Sequence, residues 1–368
     1  MRYVFCSPLR YVQGEGVTER LAVEMAGIGL AAPVLVAAGR SAVAALAPVW
    51  AAASAAAGWH HRVRVFGGEC TAAEIDAIAA EARSLGAASI VGAGGGKCLD
   101  ASRAAAATVG LPFVSCPTVA STDAPTSALS VVYTAAGIVE SYRIHGRNPD
   151  LVLVDSGVIV RAPVRYLVAG MGDALSTWYE ARSAAAAGSP NMRGGATTQG
   201  ALALARACRD TVLADGEAAV EAARDRQVTP AVERIIEANT LLSGLGFESA
   251  GLAAAHAVHN GLTVLPGTHA ALHGEKVAFG TLVQMTLDGT PDEEFATVVR
   301  FCRAVGLPVT LAQLGLPAAT ATDIDAIAAR ATQPGETIHN LPRPVTAADV
   351  AAAIRAADER AAAIAGRS

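Results

Sequence analysis

The chain has 368 residues, 28 Lys plus Arg against 33 Asp plus Glu, a net charge of −5, and 52% hydrophobic residues of which few are aromatic. That length implies two cores rather than one, and the acidic balance, with no run of five basic residues, speaks against a nucleic-acid partner or a polybasic membrane patch. Six scattered cysteines without a C-x-x-C pair, no unbroken apolar run near the ~18 residues of a membrane span, and an N-terminus, MRYVFCSPLRYV, without an apolar signal core lead us to expect reduced thiols and a soluble, cytoplasmic protein.

Residues 33–38, PVLVAA, form a short apolar run closed by Gly39, as a buried strand does. The alanine-rich run after it reads as a helix, and RVRVF at 62–66 as a strand. TAAEIDAIAAEARSLG reads as a helix with Thr71 as N-cap, Glu74 three residues on and Gly86 at its end. ASIVGAGGG is a strand running into glycines, KCLDASRAAAATVG a helix and PFVSCPT a strand. Strand–helix alternation at this spacing predicts a parallel α/β sheet with right-handed crossovers. A hairpin-like pair, ALSVVYT and IVESYRI, follows around Gly137, and DLVLVDSGVIV is the last strong strand. From Pro163 onward the pattern is helical almost to Ser368, so we place a boundary near residues 160–165, with residues 1–162 as the α/β unit and 163–368 as the helical one. A cleft between such halves is where ligands usually sit.

Gly94, Gly95, Gly96 and Lys97 lie between a strand and a helix. Glycine lets a backbone approach phosphate oxygens, the helix start offers free N–H groups, and Lys97 adds charge. The pattern is neither G-x-G-x-x-G nor a Walker loop. The Ser/Thr-rich stretch 116–133 offers hydroxyls for a ribose or carboxamide, although composition alone equally describes an ordinary turn. Four of the eight histidines fall within 256–273. We read one helix carrying His256 and His259, a loop, and a second helix opening at His273. With Asp173, read as standing at a helix start, two imidazoles and a carboxylate make a three-ligand site with an open position, as a catalytic divalent metal needs. Spacing alone is no signature here: a single histidine is more often a core or capped residue, and an isolated Asp173 an N-cap.

The blocks GAGGGKCLDASRA, PTVASTDAPTSALSVVY, NPDLVLVD, GMGDALSTWYEARS, ANTLLSGLGFESAGLAAAHAVHNGL, HGEKVAFGTLVQ and GETIHN resemble those of glycerol dehydrogenases in the iron-containing alcohol dehydrogenase family, in order and spacing, from about residue 3 to 358. The resemblance implies a dehydroquinate synthase-like fold, an N-terminal dinucleotide-binding α/β domain followed by an all-α domain. It implies NAD(P)-linked oxidation of a polyol or secondary alcohol of the glycerol-to-dihydroxyacetone type, and the reverse reduction, in a homo-oligomer. It implies one divalent metal, zinc before iron or manganese, on Asp173, His256 and His273. Gly94, Gly95, Gly96, Lys97 and Asp100 are expected along the pyrophosphate. Thr118, Ser121, Ser127, Leu129, Val131 and Tyr133 are expected around the adenosine and nicotinamide ends. Asp123 is expected at a substrate hydroxyl and Phe247 beside the substrate; His259 and His269 are expected behind the site or at the surface. Where such enzymes carry an acidic residue after the first strand, this chain has Gly39 and Arg40. That exchange removes a repulsion toward a 2′-phosphate and predicts use of NADP at least as good as NAD. It also leaves open a specialised sugar or cyclitol alcohol. A dehydroquinate-synthase-like cyclase needs several basic residues for a phosphorylated substrate, and 240–280 offers only Lys276. A catalytically silent scaffold is disfavoured by the intact Asp/His/His set.

Overall fold

A computed structural model describes residues 2–135, 137 and 139–365. The first half carries strands β1 (Arg10–Gly14), β2 (Val34–Ala38), β3 (His61–Val65), β4 (Ser89–Gly94), β5 (Phe113–Pro117), β6 (Leu129–Tyr133), β7 (Val139–Ile144) and β8 (Leu151–Asp155). Its helices are α1 (Leu21–Ala26), α2 (Arg40–Ala56), α3 (Ala72–Leu85), α4 (Gly96–Val109) and the single turn α5 (Ser156–Ile159). Among the described residues, six strands form one parallel sheet in the order β1-β8-β5-β4-β2-β3, and β6 and β7 pair antiparallel beside it. The predicted parallel sheet and hairpin are both present. Ile138, placed at the start of the second hairpin strand, lies outside the described residues, as do the last three residues of the chain.

The central strands are buried along their whole length, as strands covered on both faces must be. Val34, Val36, Val91 and Val114 meet Trp50 of α2 on one face. Leu35, Ile90 and Phe113 meet Ile75 and Ile78 of α3 on the other. Thr71 caps α3 through its hydroxyl and Gly86 ends it in the left-handed conformation, both as read. Glu74 does not complete a capping box; its carboxylate accepts from Gly67 N and Arg64 instead. Two further expectations are corrected. DLVLVDSGVIV is a strand only to Asp155, whose side chain then caps the turn that follows. The edge strand β1, pairing with β8, escaped notice because its polar, half-exposed sequence RYVQG gives no apolar run.

After β8 the described chain is helical: α6 (Val164–Ala187), α7 (Gln199–Arg224), α8 (Pro230–Glu237), α9 (Ser243–Ala250), α10 (Ala254–Leu262), α11 (His273–Leu287), α12 (Asp292–Val305), α13 (Ala321–Ala331) and α14 (Ala347–Ala365). A π-helical turn, Ala238–Leu242, joins α8 to α9. Among the described residues no single helix is long and apolar enough to cross a membrane.

Asp173 is fully buried in the middle of α6, not at a helix start. The segment read as one helix through His256 breaks at Gly251, whose φ of 104° belongs to glycine, and α10 leaves at a bend of 104° to the α8–α9 rod. The break turns His256 toward Asp173. α6 and α11 lie close because both carry glycine at their crossing. A methyl on Gly274 would collide with the Ala169 carbonyl, and one on Gly172 with the Gly274 carbonyl. Each glycine is the chain neighbour of a predicted metal ligand, so the crossing brings Asp173 and His273 together.

Gly274→Ala is therefore expected to destabilise the metal-free protein by about 1–3 kcal/mol through overpacking. Gly200→Ala in α7, where a Cβ meets only Thr198 Oγ1 at 3.9 Å, should stabilise it by up to about 1 kcal/mol. Urea unfolding of both variants checks the opposite signs.

Candidate metal centre and cofactor cleft

A cleft of about 1120 Å³ separates the sheet from the helices. That exceeds the roughly 300–1,000 Å³ of ordinary small-ligand pockets, leaving room for a dinucleotide as well as a small alcohol. Gly39, Arg40, Gly94, Gly95, Gly96 and Lys97 line one wall. Thr118, Ser121, Asp123, Ser127, Leu129, Val131 and Tyr133 line the roof, and Phe247, His256, His259 and His273 the far end.

The glycines after β4 divide into two kinds. A side chain at Gly92 or Gly94 would strike Ser102 or Cys98 of α4, so these two let helix pack on strand. Gly95 and Gly96 have room for a Cβ, Val119 and Thr122 being no closer than 3.4 Å, and they face the cleft. The first turn of α4 has no side-chain cap, so its N–H groups remain available to an anion. Lys97 stands beside this turn, held by Glu69 at 2.5 Å and lying over the Tyr133 ring. Asp100 also lines the cleft, while its oxygens accept from Arg103 at 2.6 Å and from Val131 N at 3.0 Å, which ties β6 to α4.

The Ser/Thr loop 118–128, indistinguishable by composition from a simple turn, is fastened into the interface between the halves. Asn239 donates to Ala120 O, Thr126 to Thr240 O, and Arg103 to Ala124 O. Two of these anchors lie on the π-helical turn. Asp123 at the loop's apex donates its backbone N–H to Asp173 Oδ2 at 3.1 Å, and its own carboxylate accepts from Ser243. Burial, and then the charge of Asp173, push the Asp123 carboxyl up.

At the floor, Asp173 Oδ1 lies 3.4 Å from His256 Nε2 and 3.2 Å from His273 Nε2. The donor atoms of the three residues all fall within 4.8 Å of one another. A carboxylate oxygen and an imidazole nitrogen each ~2.0–2.1 Å from a tetrahedral zinc sit about 3.3 Å apart, so the spacing fits one ion. Oδ1 is also buried without a hydrogen-bond partner, although an orphaned carboxylate oxygen costs about 1–3 kcal/mol or more. Burial opposes ionisation of Asp173, but the imidazoles of His273 and His256 outweigh it and hold the carboxylate well below its usual range. Burial likewise opposes charge on His256, yet Glu180 and Asp173 raise that imidazole well above its ordinary value. The hollow thus favours positive charge.

Glu180 and Gln284 were not among the residues expected at the site. Gln284 Oε1 accepts from Ala254 N and Ala255 N, and Glu180 Oε1 from Ala253 N and His256 N, so together they cap α10. Glu180 Oε2 then takes His256 Nδ1 at 2.5 Å, leaving Nε2 toward Asp173. Glu180 stands seven residues after Asp173 on one face of α6, a two-turn spacing that could have revealed it. His269 is exposed, does not line the cleft, and its ring bonds Thr263 O.

Residues 8–156 match the model of the family described as iron-containing alcohol dehydrogenase. The chain is 55% identical over 293 residues to a glycerol dehydrogenase of Citrobacter freundii, covering 80% of each chain. It is 48% identical over 353 residues to a glycerol dehydrogenase of Pseudomonas putida, covering 96% of each. The crystal structure of glycerol dehydrogenase from Schizosaccharomyces pombe superposes with a TM-score of 0.95 at 38% identity, over 99% of this chain and 92% of that one. A parallel sheet, a capping helical half and an Asp/His/His floor are thus combined in a chain that belongs to the iron-containing alcohol dehydrogenase family, within its glycerol dehydrogenases.

Proposed function

We propose that this enzyme oxidises glycerol or a closely related vicinal diol at the secondary or adjacent hydroxyl, with zinc on Asp173, His256 and His273. The observation that carries the reading is the orphaned Asp173 Oδ1 with two Nε2 atoms 3.2 and 3.4 Å away, at the floor of a dinucleotide-sized cleft. Two imidazoles and one carboxylate with an open fourth position suit zinc. A bound divalent ion supplies Lewis acidity that eases deprotonation of an alcohol, and a nicotinamide accepts the hydride.

The chain's own residues bind and orient. Gly95, Gly96 and the α4 N-terminus offer N–H groups to a pyrophosphate, and Thr118, Ser121 and Ser127 line the roof of the same cleft. Leu129, Val131 and Tyr133 supply an apolar shelf. Asp123, half-buried next to Asp173, accepts a hydrogen bond from the second hydroxyl of a diol, and Phe247 closes the floor against water. The glycerol dehydrogenases among its relatives support this reading over a cyclase or a silent scaffold.

NADP is the cofactor we favour. Gly39 has φ −61° and nothing within 4 Å of a Cβ, so neither backbone nor packing demands a glycine there. The next residue, Arg40, is exposed on the cleft wall with no carboxylate partner among the described residues.

Three outcomes are expected. His256→Ala should lose metal and activity together with little change in circular dichroism; full turnover by the metal-free variant would sink the assignment. Asp123→Ala should lower kcat/KM for glycerol by about 10–100-fold, the worth of a charged hydrogen bond, and far less for a simple secondary alcohol. Wild-type enzyme should use NADP at least as well as NAD, and Gly39→Asp should reverse that ratio; a strong wild-type preference for NAD defeats the cofactor reading.

A further inference from the structure

The two imidazoles of the floor are held by unlike partners. Glu180, a carboxylate, can only accept, so its bond to His256 Nδ1 places the proton on that nitrogen. His273 has no carboxylate at its Nδ1. It meets His259 Nε2 at 3.0 Å instead, and an imidazole nitrogen can donate or accept.

The ambiguity is resolved two residues further out. Asn260 Nδ2 donates to Glu336 Oε2 at 2.9 Å, and Glu336 is itself paired with Arg330. A carboxylate cannot donate, so the Asn260 amide must present its NH2 to Glu336 and its Oδ1 to His259. Tyr142 of β7 also bonds Asn260, but a hydroxyl takes either role and imposes no direction. His259 Nδ1, 3.1 Å from Asn260 Oδ1, therefore carries the proton. Its Nε2 is then a lone-pair acceptor, and His273 must donate Nδ1–H to it. Only then is His273 Nε2, 3.2 Å from Asp173 Oδ1, a bare lone pair. Reversing the chain at any link would put a proton on that nitrogen.

We infer that His259 is a positioning residue: anchored through Asn260 by Glu336, it accepts from His273 and fixes the tautomer in which His273 Nε2 faces the metal. The inference rests on the metal reading above. It also distinguishes the two ligands, because His256 leans on a full negative charge and His273 on a neutral ring. The neutral support orients the ligand without adding a carboxylate beside Asp173, Asp123 and Glu180.

The test measures zinc affinity of the full chain by chelator competition, with 15N imidazole spectra of the zinc-loaded protein reporting tautomers. His259→Phe, which keeps a ring but no acceptor, should bind zinc about 10–100-fold more weakly, the usual effect of losing an outer partner. His259→Gln, whose carbonyl can accept from Nδ1, should recover most of that loss. The wild-type spectrum should show His259 protonated at Nδ1 and not at Nε2. Should His259→Phe fail to fold, Glu336→Gln replaces it: an amide there lets Asn260 turn over, so affinity should fall and the His259 tautomer become mixed. Zinc binding as tight as wild type in the folded Phe variant, or in Glu336→Gln, overturns the inference, as does a wild-type His259 protonated at Nε2. Wild-type protein that binds no zinc overturns the metal reading itself.

Discussion

The buried carboxylate of Asp173 is the constraint on which the rest of the site depends. It lies in the middle of a helix, fully enclosed, with one oxygen bonded to the backbone of Asp123 and the other facing two imidazole nitrogens without a hydrogen bond. An ionised group at such depth is costly unless positive charge compensates it. Every neighbouring element is arranged around that requirement. α11 can come near only because Gly172 and Gly274 carry no side chains at the crossing. α10 can aim His256 inward only because the chain breaks at Gly251 and because Glu180 and Gln284 satisfy the four N–H groups the break exposes.

The same carboxylate joins the two halves of the molecule. Its Oδ2 holds the apex of the loop 118–128, and that loop also roofs the cofactor wall. The π-helical turn between α8 and α9 contributes through Asn239 and Thr240. Such turns are often found at functional sites because they displace backbone and side-chain groups from regular register. The loop 118–128, the π-helical turn and the buried carboxylate are thus one hydrogen-bonded assembly.

The glycines near the cofactor wall divide by physical role. Gly92 and Gly94 are there for helix-on-strand packing, whereas Gly95, Gly96 and Gly39 have empty space where a Cβ would be. Empty space facing a cleft has a use only when something else fills it. Asp100 illustrates the converse: a polar residue within the glycine-rich segment whose carboxylate serves the protein's own architecture, through Arg103 and β6.

Much of this was legible in the chain itself. Apolar runs ending in glycine identify β2 and β4, Thr71 and Gly86 delimit α3, and the ordered family blocks bring Asp173, His256 and His273 together as candidate ligands before any coordinates. Those features are local: burial on both sheet faces, capping and glycine conformations are each governed by a few neighbouring residues. The polar strand β1 gave no such local signal, since its place depends on pairing with β8, far along the chain. The mid-helix setting of Asp173, the bend at Gly251, the crossing at Gly172 and Gly274, and the supporting roles of Glu180, Gln284, His259 and Glu336 likewise rest on contacts between separate elements, such as Glu180 with His256 and Asn260 with Glu336, each pair 76 positions apart. Periodicity cannot reveal hydrogen-bond direction or helix approach, because both are set by which side chains meet in space, and only the packed structure decides that.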